Sequence, residues 1–160
     1  MKRYAALILA ILTAALALFS AGCDPRGQLS EKETQMLYEE FRALAASDEF
    51  WQRETHLWLG PDWSIDAEEQ AAVEFVKAVV ETALSDKTEK TISGSWFSSK
   101  KYCSDVSIKI DGPVHTSDTR EGMRTKVTAA KYGDGKWVIF VEEIEPGSEM
   151  WSTVIQIAFY

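Results

Sequence analysis

Two thiols and two imidazoles bound the side-chain chemistry open to this chain: Cys23, Cys103, His56 and His115. Cys103, His115 and Asp118 are the residue types of a nucleophile, a general base and an orienting carboxylate, the set that activates a thiol for hydrolysis. No glycine-rich elbow precedes Cys103, so a thiol hydrolase requires the fold itself to bring the three together. Zinc would need both histidines joined by acids or by Cys103 from distant segments, because no HxxxH or CxxC spacing exists. No metal and no cofactor is expected. Adjacent carboxylates at Glu39 and Glu40, Glu68 and Glu69, and Glu142 and Glu143, continued by Glu145 and Glu149, are of the kind that does acid–base work or holds calcium. None follows a calcium-loop pattern, and their places on solvated helix faces or at a strand end predict an acidic surface. Gly133 and Gly135 lack the following helix and the Lys-Ser or Lys-Thr pair of a phosphate loop. The expectation is a protein that is not an enzyme.

Aromatic side chains are the other candidates. Trp51, His56, Trp58 and Trp63 fall within thirteen residues, with Trp96, Trp137 and Trp151 elsewhere. Aromatic faces supply large contact area at little rotamer cost, which makes Trp58, Trp63, Trp137, Phe140 and Phe159 the candidate ligand or partner contacts. The competing role is completion of a small domain's core, where large aromatics are commonly buried.

The elements that must position these residues change character near Asp86. A capping box of Ser30 and Glu33 predicts a helix whose apolar stripe is Leu37, Phe41 and Leu44. A second short helix is expected from Asp48, carrying Phe50, Trp51, Leu57 and Trp58 and stopped by Gly60 and Pro61. A third spans about Asp66 to Leu84, with Ala72, Val76, Val79, Val80 and Ala83 on one side. Beyond Asp86 the period falls to two: strands are expected over Thr91 to Phe97 and around Val106, Ile108 and Ile110, ended by Asp111, Gly112 and Pro113. Residues 123–132 and 136–144 form a hairpin about Gly133, Asp134 and Gly135, and Thr153 to Tyr160 is a final strand. Helices first and strands afterwards predict an α+β domain over residues 30–160, two or three helices packed on a curved antiparallel sheet of about five strands.

Val138 to Val141 is a continuous apolar run, and Ile155, Ile157 and Phe159 alternate with Val154, Ala158 and Tyr160. Strands wet on one side alternate apolar with polar, so these two are expected to be covered on both faces. The second face then curls into a pocket, pairs with another subunit as a homodimer, or is covered by loops. The element order and the Lys136, Trp137 entry after a glycine turn resemble the cone-shaped NTF2-like or cystatin-like folds across residues 65–160.

With 160 residues, 46% hydrophobic and 26% charged, the chain is the size of one domain and too apolar for wholesale disorder. A formal charge of −8 and the lack of a basic cluster exclude nucleic acid as the main partner.

The amino terminus is organised differently. Lys2 and Arg3 precede nineteen uncharged residues, Tyr4 to Gly22, whose apolar core from Ala5 to Phe19 has the length of an export-signal h-region. An uncleaved anchor of about 20 apolar residues is the alternative. Ser20, Ala21 and Gly22 lead into Cys23, and this pattern resembles the bacterial lipoprotein family, with Ser20 where that family favours Leu. The resemblance implies cleavage after Gly22, diacylglycerol and palmitate on Cys23, and a cell-envelope protein held to the membrane by acyl chains, facing the periplasm or the exterior. Asp24 after the cysteine further resembles the signal that retains enterobacterial lipoproteins in the inner membrane.

The signal peptide is then 1–22 and the lipidated tether 23–29, with Pro25 and Gly27 in it. Losing Lys2 and Arg3 leaves 15 basic against 25 acidic residues, a charge of −10. Such a domain is repelled from an anionic membrane and steers towards a cationic partner. Without acylation, Cys23 and Cys103 would be free to pair as a disulfide. The function expected is binding of a protein partner, for example as an immunity or inhibitor protein against a basic toxin. The alternative is binding of a small apolar ligand in a pocket under the sheet lined by Trp137, Phe140 or Phe159.

Overall fold

Strand β4 shows how the sequence builds the sheet. Along Cys103–Asp111, Val106, Ile108 and Ile110 project to one side while Asp105, Ser107 and Lys109 project to the other. The computed structural model describes residues 26–60, 69–97, 103–112 and 122–160, and in them seven strands form one antiparallel sheet. In chain order the elements are β1 (Arg26–Gln28), α1 (Glu31–Ala45), α2 (Asp48–Trp51), β2 (Thr55–Leu59), α3 (Glu69–Leu84), β3 (Lys90–Phe97), β4, β5 (Arg124–Tyr132), β6 (Trp137–Ile144) and β7 (Ser152–Phe159). The strands lie in the order β1-β3-β4-β5-β6-β7-β2. Helices and sheet together make the α+β architecture expected.

The strand count is a correction: seven, not five. Arg26–Gln28, inside the stretch read as tether, adds an edge strand to β3, with Arg26 opposite Phe97 and Gln28 opposite Ser95. Thr55–Leu59 is the second addition. Leu57 and Trp58 were expected on a helix, but α2 ends at Trp51 and they lie on β2, paired with β7. Periodicity cannot separate helix from strand in so short an apolar run, and the free edge of β7 decides it. Gly60 fixes the far end of β2: its N–H donates to the Val154 carbonyl at 2.8 Å, and a Cβ there would stand 2.3 Å from the Thr153 carbonyl oxygen.

All three helices lie on one face. From α1 come Leu37, Tyr38, Phe41 and Ala45, and from α3 come Ala72, Val73, Val76, Val79, Val80, Ala83 and Leu84. They meet Ile108, Val127, Ala129, Ile139, Val141, Ile155 and Ile157 from the sheet. One end of this core is aromatic: Phe41 stacks on Trp137 with centroids 5.7 Å apart, and Phe50 and Trp51 pack on Phe159 at 4.4 and 5.5 Å. The Trp51 indole N–H donates to the Ala45 carbonyl at 2.8 Å, so its polar atom is satisfied inside the core.

The start of α1 forms the expected capping box. The Glu33 N–H donates to the Ser30 hydroxyl, and the Ser30 N–H donates to the Glu33 carboxylate at 2.9 Å. The Ser30 hydroxyl and backbone hydrogen bonds hold the Glu33 carboxyl below its usual pKa. Ser30→Ala removes one orphan-amide partner and is expected to lower stability by about 1 kcal/mol, read as a lower urea midpoint at unchanged slope. A midpoint equal to wild type would mean that the cap contributes nothing.

Candidate functional site

Helix α1 carries its apolar stripe inwards and leaves one large apolar residue outside it. Met36 precedes Leu37 by one position, about 100° around the helix, and is 63% exposed. Glu31, Lys32, Gln35 and Glu39 surround it on the outer face, which borders a shallow surface concavity. The Gln35 amide donates to the Glu39 carboxylate at 2.8 Å. On the other flank Glu40 forms an ion pair with Lys131 of β5, which ties the helix to the sheet. Between α1 and the ends of β4 and β5 runs a groove of about 330 Å³, lined by Leu29, Met36 and Leu37 together with the polar Glu33, Glu40, Ser104, Lys131 and Tyr132. Burial raises the Tyr132 pKa first, followed by the neighbouring Cys103, Asp134 and Asp105. An exposed thioether with Glu31, Lys32 and Glu39 around it, beside a groove of mixed polarity, is suited to a partly apolar polypeptide, which the flexible Met side chain can accommodate.

The candidate aromatics do not converge. Trp137 and Phe159 point into the helix-covered core and are buried, while Phe140 projects half-buried from the opposite face, across from Gln156. The three therefore line no common cavity under the sheet. Trp58 stands on the outer strand β2, 51% exposed on the face opposite the helices. Trp63 lies outside the described residues, as do His115, Asp118, Gly22 and Cys23.

That opposite face is mixed rather than uniformly apolar. Val138 is buried, but Val154, Gln156 and Ala158 are half-buried, and Lys126 pairs with Glu142 at 2.8 Å with each side chain 17% exposed. Trp151 lies against Lys126, Arg124 and Lys109, with cation-to-centroid distances of 5.0, 5.9 and 6.0 Å. Glu142 and Glu143 thus sit near a strand end, as expected, but Glu142 is largely buried in its pair with Lys126 rather than on a solvated acidic surface.

Cys103 is fully buried on this face, at the end of β4. His56 is on β2, separated from β4 by β5, β6 and β7, which at about 4.8 Å per strand places them about 19 Å apart. Beside Cys103, the buried Asp105 accepts from the Ser95 hydroxyl at 2.9 Å. Among the described residues no group of three His, Cys, Asp or Glu is placed to hold a metal ion, and no helix is long and apolar enough to cross a membrane. Sequence patterning alone passed over both Met36 and Asp105. A helical wheel registered on Leu37 and Phe41 is the signal that would have placed Met36 outside; strand alternation puts Asp105 opposite the core, where exposure is the ordinary expectation.

No family model matches the chain, and no curated protein or solved structure matches it either.

Proposed function

We propose that this is a bacterial cell-envelope protein, anchored by acyl chains on Cys23 and oriented to the periplasm or exterior. It acts without catalysis, by binding a basic protein partner through the outer face of α1. What supports the reading is Met36, 63% exposed with Glu31, Lys32, Gln35 and Glu39 around it and adjoining the groove lined by Leu29, Lys131 and Tyr132, where acids outnumber bases. A methionine left in water on an acidic helix contributes nothing to the core, whereas buried under a partner it recovers its apolar transfer energy. Immunity or inhibition of a basic toxin is the sub-class that this charge favours. Asp24 favours the inner membrane as the site of anchoring.

The test uses envelope extract over immobilised protein at low and high salt. Capture is expected at low salt and to weaken as salt screens the carboxylates. Met36→Lys, which leaves the core side of α1 unchanged, is expected to weaken capture about tenfold, about 1.4 kcal/mol. Capture that Met36→Lys leaves intact at both salts would remove the assignment of this face. A second copy of the chain as the occupant would show instead as a dimer in sedimentation, dissociated by the same substitution.

A further inference from the structure

The position of β1 sets how close the α1 face lies to the anchor. Only Asp24 and Pro25 separate Cys23 from the first residue of β1, a span of at most about 11 Å, and Leu29 follows within about 21 Å of contour. Leu29 lines the groove beside Met36, and its N–H donates to the Gly94 carbonyl at 3.1 Å, so the groove is fixed to the anchored edge of the sheet. Register places the start of β1 at the same end of the sheet as Phe97, Cys103 and Tyr132. Glu145 and Glu149, in the connection from β6 to β7, lie at the other end, about 26 Å away along the eight residues of β6.

We propose that the Met36 face works at the bilayer surface, and that its partner is the basic extramembrane segment of an integral membrane protein. The inference rests on the anchoring and partner readings above, and it adds the place of binding and the class of partner. Anionic headgroups repel Glu31 and Glu39 as they repel Glu145 and Glu149, so lipid itself is a poor occupant of this face. A lysine- or arginine-rich segment emerging from the membrane complements Glu31 and Glu39 and starts from the surface that holds the anchor. Confinement of both proteins to one surface then replaces three-dimensional search by a high local concentration.

The test reconstitutes the full chain, recovered from membranes, into vesicles with a synthetic single-span peptide bearing a short run of lysines just outside the bilayer. Carbodiimide joins lysine to nearby carboxylates. Cross-links are expected to favour Glu31 and Glu39 over Glu145 and Glu149 by about fivefold or more. Inserting a Gly/Ser linker of about 20 residues between Pro25 and Arg26, with a root-mean-square span of about 25 Å, is expected to erase that preference while leaving β1 intact. Equal cross-linking of the two acidic groups, or preference for Glu145 and Glu149, would overturn the proposal. Intact mass of the same material separates the two levels: a chain lacking acyl groups defeats the anchoring reading, whereas acylated chains without the preference defeat only the placement at the bilayer.

Discussion

Phe159→Ala is expected to cost about 4 kcal/mol of folding stability, a large share of what a domain of this size possesses. Phe159 is completely buried at the end of β7, with the Phe50 ring 4.4 Å away and Trp51 edge-on at 5.5 Å, so truncation leaves a cavity walled by rings that α2 holds in place. The cost has two parts, the lost transfer of the phenyl group from water and the contacts forfeited around the void. Urea unfolding should show the midpoint falling at constant slope. Trp58→Ala, on the exposed side of β2, is expected to stay within about 0.5 kcal/mol. The contrast separates two uses of aromatic residues that composition treats alike. A Phe159→Ala protein as stable as wild type would mean that the aromatic end of the core is not packed as described.

Cys23→Ser is expected to abolish palmitate labelling and, because lipid addition precedes cleavage in the lipoproteins that the amino terminus resembles, to leave an uncleaved chain. A hydroxyl does not form the thioether, and each buried methylene would contribute about 0.8 kcal/mol, so loss of two or three acyl chains would remove a durable attachment. Labelling that persists in the serine variant would remove the anchor, and with it the bilayer placement of α1. The surface of α1 would still be testable in solution, because the Met36→Lys comparison does not depend on a lipid. Cleavage of the serine variant all the same would point to 1–22 as a plain secretory signal.

Local signals carried much of the architecture. The capping box at Ser30 and Glu33, the stripe from Ala72 to Ala83, the alternation of Val106, Ile108 and Ile110, and the glycine turn at 133–135 each describe contacts within a few residues of one another. For that reason they are legible without a fold. Gly135, at φ 86°, adopts the conformation that favours glycine in this tight hairpin turn. The sequence by itself also determined the acidity of the chain and the small-residue run ahead of Cys23, both properties of composition and order.

Tertiary structure decided what depends on distant partners. Residues 26–28 and 55–59 are too short to declare themselves, and they are strands because β3 and β7 each offered an unpaired edge. The same pairing turned three of the seven tether residues, Arg26–Gln28, into the outermost strand. Pleat parity sent Trp137 and Phe159 into the core and Phe140 to the other side, a separation no count of aromatics reveals. Met36 stands exposed because Leu37 and Phe41 claim the sheet-facing side of α1, as a helical wheel indicates, but the groove beside it exists only once the helix docks. Sequence records neighbours along the chain, whereas an edge, a face or a groove exists only between segments that folding brings together.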